Sequence, residues 1–336
     1  VIGRTLACLG LLVITACRPA TITEAEAKGD VTWLEQNGTP DAMAALGRLA
    51  DKNRRAVVAL ESRSTFDPNA FKAAWDAVLR GAPWGTTMLS AGLADPKRAD
   101  LAAGAMAKHD PHLVPFVGEL EKALERLSAS IQNLNVSSTL ASVGAPASDA
   151  VRRRLLDPST RGAMCRGIAT KDAAPEARAV LLSAPVEARD APECVGAVVH
   201  LAEDDDAALD WLAEKGEPGL LVAAGKEETL DCARLHVVWA KALAVRPAAV
   251  HPALTVPLGY AVKRCTAEMD GVLADAIVHH PTTRAVVVEA IDPFEGYGSA
   301  LHATCAALPA VASGRDATII RERASDALTH ACKAPG

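Results

Sequence analysis

LLDPSTRGAMCRGIA, residues 155–169, shows how this chain is punctuated. An aliphatic pair ends one segment, Asp157-Pro158 opens the next, and an arginine and small residues follow. Asp accepts the unpaired N–H groups of a first helical turn, and proline suits the first helical position. LADPKRADLAAGAM (93–106) repeats the same order around Asp95-Pro96. Thr39-Pro40-Asp41 and Asp67-Pro68 are two further helix starts. After the latter, Phe71, Ala74, Trp75, Val78 and Leu79 share one helical face, and Gly81 stands where a helix would close. Segments of about 10–20 residues recur in this way, and nothing between them alternates like a strand. The chain is predicted to be all-α.

Composition supports that reading. Alanine fills 69 of 336 positions, whereas aromatic residues make up 3%. Alanine, leucine, glutamate and arginine favour helices, and the scarcity of aromatics argues against a sandwich or barrel. Half the residues are hydrophobic, enough for a sizeable core, so neither whole-chain disorder nor a disulfide miniprotein fits. The 35 basic and 41 acidic side chains leave a net charge of −6. That balance offers no basic stripe for phosphates, and no nucleic-acid partner is expected.

The two Asp-Pro stretches resemble HEAT-type helical repeats. In that family Asp-Pro sets the turn between paired helices, and alanine or glycine lets neighbouring helices pack closely. The resemblance implies an α-solenoid of HEAT-like hairpins, with an irregular helical bundle as the alternative. It is patchy, covering about half of the chain on a generous reading, because the other candidate repeats are degenerate.

The first residues carry an address. Arg4 precedes an apolar run from Leu6 to Ile14, and small residues lead to Cys17. The run is shorter than the ~20 residues that span a bilayer, but it has the anatomy of a secretory signal. LVITAC resembles a bacterial lipobox, which implies cleavage before Cys17 and acylation of its thiol and new amino terminus. Residues 1–16 are then a signal peptide and 17–30 a lipidated tether. Arg18, in place of the Asp associated with inner-membrane retention, points by the same resemblance to the outer membrane.

Leu113, Val117, Leu120, Leu124, Leu127, Ile131 and Leu134 are spaced alternately four and three apart. That seam predicts a long helix over 112–134, packed within its own domain rather than in a coiled-coil dimer. NVSSTLASVGAPASDA (135–150) is rich in Ser, Gly and Pro and is read as a hinge. The expected division is a helical region over 31–140 and a cysteine-containing repeat region over 141–336.

Cys165, Cys194, Cys232, Cys265, Cys305 and Cys332 are separated by 29, 38, 33, 40 and 27 residues. The mean, about 33, is close to one helical-hairpin repeat. In an exported protein an even count reads as disulfides. Stacked repeats touch only their neighbours, which favours Cys165–Cys194, Cys232–Cys265 and Cys305–Cys332. Packed free thiols are the alternative, and His302, Cys305, His330 and Cys332 together offer a zinc set.

Catalytic motifs are missing. There is no H-E-x-x-H, and Ser90 and Ser299 lack the paired glycines of a nucleophile elbow. Around Gly225-Lys226, Leu220 and Glu227 replace the glycine and hydroxyl residue a P-loop needs. Gly296 and Gly298 lack a third glycine and a preceding strand. Glu203-Asp204-Asp205-Asp206 lacks the ligand spacing of a calcium loop and reads as a solvated helix start. No cofactor is expected. The expectation is a membrane-anchored, non-enzymatic scaffold that binds envelope proteins; the alternative is a hydrolase or metal-dependent enzyme with a site scattered over helices.

Overall fold

The computed structural model describes residues 19, 21–127, 134–189, 191–226, 230–291 and 300–332. The protein is all-α, and no strand occurs among the described residues. It divides into two compact units, Val1–Ala177 and Arg178–Gly336. No described helix is long and apolar enough to cross a membrane.

The first unit holds α1 (Ile22–Lys28), α2 (Val31–Asn37), α3 (Pro40–Ala50), α4 (Arg54–Arg63), α5 (Pro68–Leu79) and α6 (Pro83–Ala94). Then follow α7 (Ala99–Ala105), α8 (Val117–Leu127), α9 (Leu134–Ser142), α10 (Ser148–Leu156) and α11 (Pro158–Ile168). Odd-numbered helices pack on one another in succession from α1 to α11. Among the even-numbered ones α2 packs on α4, α6 on α8 and α8 on α10. Consecutive helices also pair, so the unit is a two-layered ladder of hairpins, the α-solenoid arrangement.

After α12 (Pro175–Leu182), which runs across the division, the second unit continues with α13 (Val186–Arg189), α14 (Pro192–Asp204), α15 (Asp206–Lys215), α16 (Pro218–Lys226) and α17 (Cys232–Val245). It ends with α18 (Thr255–Arg264), α19 (Thr266–His279), α20 (Arg284–Ile291), α21 (His302–Ala312) and α22 (Thr318–His330). The same two ladders recur: α14, α16, α18, α20 and α22 stack in one layer, and α15, α17, α19 and α21 in the other.

The predicted caps form. Thr39 accepts from Ala42 N at 3.3 Å, Asp67 from Asn69 N at 2.9 Å and Asp157 from Ser159 N at 2.9 Å. Asp205 opens α15 by accepting from Ala207 and Ala208. Gly81 follows α5 with φ 75°, a conformation that favours glycine. Asp95-Pro96 differs: it makes a turn in which Asp95 holds Lys97 N and Arg98, and α7 begins only at Ala99.

Four expectations about organisation are corrected. The 112–134 seam is not one helix. Pro115 lies in a 3₁₀ turn over Pro111–Phe116, α8 ends at Leu127, and Leu134 starts a separate helix and is 46% exposed. Leu113, Leu120, Leu124 and Leu127 are buried within the unit, while Ile131 lies outside the described residues. Half of the 135–150 hinge is instead α9, whose residues Val136 to Ser142 are all buried between α7 and α11, and α10 begins within it at Ser148. Small hydroxyl residues serve close packing there: a Cβ on Gly167 of α11 would lie 2.5 Å from the Ser137 carbonyl carbon. The division into units accordingly falls after Ala177, not at 140. Part of the 17–30 tether is folded as α1, with Ala25 buried against the unit and Glu26 paired to Arg48.

Repeats are tied by arginines that reach carbonyls about one repeat back in the chain. Arg126 donates to the Leu93 carbonyl, Arg234 to Ala202, and Arg246 to both Leu212 and Ala213, at 2.7–2.9 Å. Arg63 reaches the Glu35 carbonyl and Arg264 those of Ala224 and Leu230. Most of these carbonyls lie in the last turn of a helix, where the negative end of the dipole favours a cation. Carboxylates do the converse. Asp100 accepts from Asn135 N and Val136 N at the start of α9, and Asp270 from Ala303 N and Thr304 N at the start of α21.

Candidate functional site

Cys232 and Cys265 form a disulfide with Cα atoms 5.5 Å apart, tying the start of α17 to the junction of α18 and α19. Cys305 and Cys332 form another, with Cα atoms 5.7 Å apart, and clamp the end of α22 to α21. Cys165 and Cys194 are fully buried and disulfide-bonded. Cys305–Cys332 is the favoured pairing and not its zinc alternative of His302, Cys305, His330 and Cys332: both sulfurs are in the S–S bond, and both histidines are exposed. Among the described residues no three His, Cys, Asp or Glu side chains gather into a metal-holding group. Cys17, Gly296, Gly298 and Ser299 lie outside the described residues.

An open, mostly apolar groove lies in the second unit, between α18 and α20 of one layer. Its volume is about 330 Å³, near the lower end of ligand-pocket sizes. Val256, Tyr260 and Lys263 line it from α18, at positions i, i+4 and i+7, and hence on one face of that helix. The opposite face of α18 is anchored by Leu258, Ala261 and Val262, all fully buried. Val256 is 64% exposed, far more than a packed valine, and Tyr260 is 37% exposed. From α20, Ala290 supplies floor and Glu289 the far edge, where the Thr255 hydroxyl reaches the carboxylate at 3.5 Å. Lys226, at the end of α16, holds its ammonium 4.3 Å from the centre of the Tyr260 ring, a cation–π distance. Among the described residues neither Lys226 nor Lys263 has a carboxylate partner. Chemically this is an apolar trough with an aromatic wall, two unneutralised cations at one side and one carboxylate at the other.

Sequence reasoning did not single out Val256, Tyr260, Lys263 or Glu289, and it met Lys226 only in rejecting a P-loop. The spacing of Val256, Tyr260 and Lys263 was available, but so was that of the buried set interleaved with it. Only packing tells which face of so short a helix is covered.

Lys108 is the most strongly perturbed base. Burial pushes its ammonium down to about 8, against the opposing pull of Asp172 and Asp100. It donates to the Thr139 hydroxyl, which in turn donates to the Ala103 carbonyl at 3.0 Å. Thr139 is fully buried, so its hydroxyl does not face a substrate. His279 and His280 both lie near Asp275, and His236 lines the same small cavity of about 180 Å³ as His280 and Asp275. Elsewhere His112 turns back to its own neighbour, Asp110, at 2.7 Å.

Compared with known protein families, curated proteins and solved structures, the chain matches none, and the functional reading rests on its own residues.

Proposed function

We propose that this protein is an envelope lipoprotein, anchored through Cys17, whose helical-repeat units hold other proteins without catalysing a reaction. The observation that carries the binding part is the α18–α20 groove, where a valine and a tyrosine stand exposed on a rigid stacked helix. Soluble surfaces tolerate scattered apolar residues, but an apolar trough with a charged rim suits a partner. The anchor rests on LVITAC, and the preference for the outer membrane on Arg18. Several acyl chains, at ~0.8 kcal/mol per buried CH₂, would hold the protein at the bilayer firmly.

Two measurements test this reading. Cys17→Ser is expected to leave the precursor uncleaved and move the protein out of the detergent phase; normal maturation and partitioning would refute the anchor. A photo-crosslinking amino acid at Val256 is expected to yield a discrete protein adduct in intact cells, with none from the exposed Asp326. Absence of any protein adduct at Val256 would refute the binding reading.

A further inference from the structure

We infer that the α18–α20 groove takes an acidic peptide segment, in which an apolar side chain enters the trough and neighbouring carboxylates meet Lys226 and Lys263. The inference rests on the protein-binding reading above and adds the chemistry of the partner.

Charge complementarity decides the class. Most cations of the second unit near this layer are spent on the fold: Arg234 and Arg246 hold carbonyls, Lys241 bridges Asp210 and Glu214, and Arg284 pairs with Asp316. Lys226 and Lys263 have no carboxylate partner among the described residues, and they flank the tyrosine of the groove. The ammonium of Lys226 already lies against the Tyr260 ring, so an arriving carboxylate meets a cation held in place rather than a freely rotating one. Val256, Gly259 and Ala290 offer apolar surface without a competing donor. Glu289 faces the other rim and works against a second negative charge there. The segment is therefore acidic on the lysine side and apolar at its centre, and a basic segment would leave both lysines repelled.

The test uses the full detergent-solubilised protein and two fluorescein-labelled eight-residue peptides, one alternating Leu and Glu, the other alternating Leu and Lys. Anisotropy is expected to show saturable binding of the Leu/Glu peptide, at least tenfold tighter than the Leu/Lys peptide. Tenfold or greater weakening is expected for Lys226→Glu/Lys263→Glu, which should also gain affinity for the Leu/Lys peptide. The milder Lys226→Gln/Lys263→Gln pair should weaken acidic binding severalfold without that reversal, with both variants keeping the wild-type circular dichroism. Tyr260→Ala should weaken both peptides. No binding of the Leu/Glu peptide, equal binding of the two peptides, or indifference to the lysine pair would overturn the inference. If the Val256 crosslink still yields a protein adduct in that event, the binding reading stands and only the acidic class is lost; without the adduct both fall.

Discussion

Lys108 keeps its ammonium mostly out of water with a single hydroxyl acceptor, a costly place for a charge. Its folded pKa of about 8 is below the ~10.4 of a free lysine. Between those values the unfolded chain binds more protons, so this group adds stability as pH rises through that window. Below about pH 8 both states are protonated and the penalty is constant. Lys108→Met is therefore expected to raise the melting temperature at pH 7, with the gain over wild type shrinking toward pH 10. Melting both proteins at four pH values checks it, and a gain independent of pH would count against the assignment. Gly167 is the opposite kind of residue, chosen for what it lacks. Any side chain there meets the Ser137 backbone of α9, so Gly167→Ala should destabilise the first unit by about 1–3 kcal/mol in urea unfolding.

Elements are held by groups that reach one repeat along. Arg246 takes two carbonyls at the end of α15, and its removal leaves both without that donor. Arg246→Ala should cost about 1–3 kcal/mol, and Arg246→Lys should restore only part of it, because an ammonium lacks the fork. Chemical denaturation of the three proteins measures this. Arg48 lowers the Glu26 pKa by hydrogen bonding, and the pair joins α1 to α3 at 2.6 Å. A carboxylate with a lowered folded pKa stabilises above the unfolded value, ~4.3 for Glu, and loses that contribution as pH falls through the folded one. Arg48→Gln should thus lower stability slightly at pH 6, by no more than about 1 kcal/mol, and not at all at pH 2. The disulfide at Cys305–Cys332 acts on α22, the last helix of its layer. Reduction should raise hydrogen exchange over 302–332 before the rest of the second unit, as measured by mass spectrometry.

At the scale of the whole molecule, two units are built on one ladder principle. Many arginines are used in bridging repeats, whereas Lys226 and Lys263 beside the α18–α20 groove have no carboxylate partner among the described residues. Far-UV circular dichroism should show a dominantly helical protein. Because each repeat contacts mainly its neighbours, denaturation is expected to proceed through partly folded intermediates rather than one transition. Coincident transitions by tryptophan fluorescence and circular dichroism would contradict that.

Helix class, most helix starts and the candidate half-cystines were legible in the sequence because their signals are local. A cap satisfies amides two or three residues away, as Asp67, Asp157 and Asp205 do, and an apolar face repeats within a single helix. Tertiary structure alone decided the rest. Ser137, Ser138 and Ser142 are hinge-like by composition yet buried, because the partner that makes small residues useful is Gly167, some thirty positions on. Likewise Arg246 looks like any surface arginine until the end of α15 is set beside it. The groove has the same origin: Val256, Tyr260 and Lys263 on α18 acquire meaning only when α16 brings Lys226 and α20 brings Glu289. Capping and periodicity are written between neighbours in the chain, whereas closeness of packing, and the choice of which face stays open, depend on elements a full repeat away.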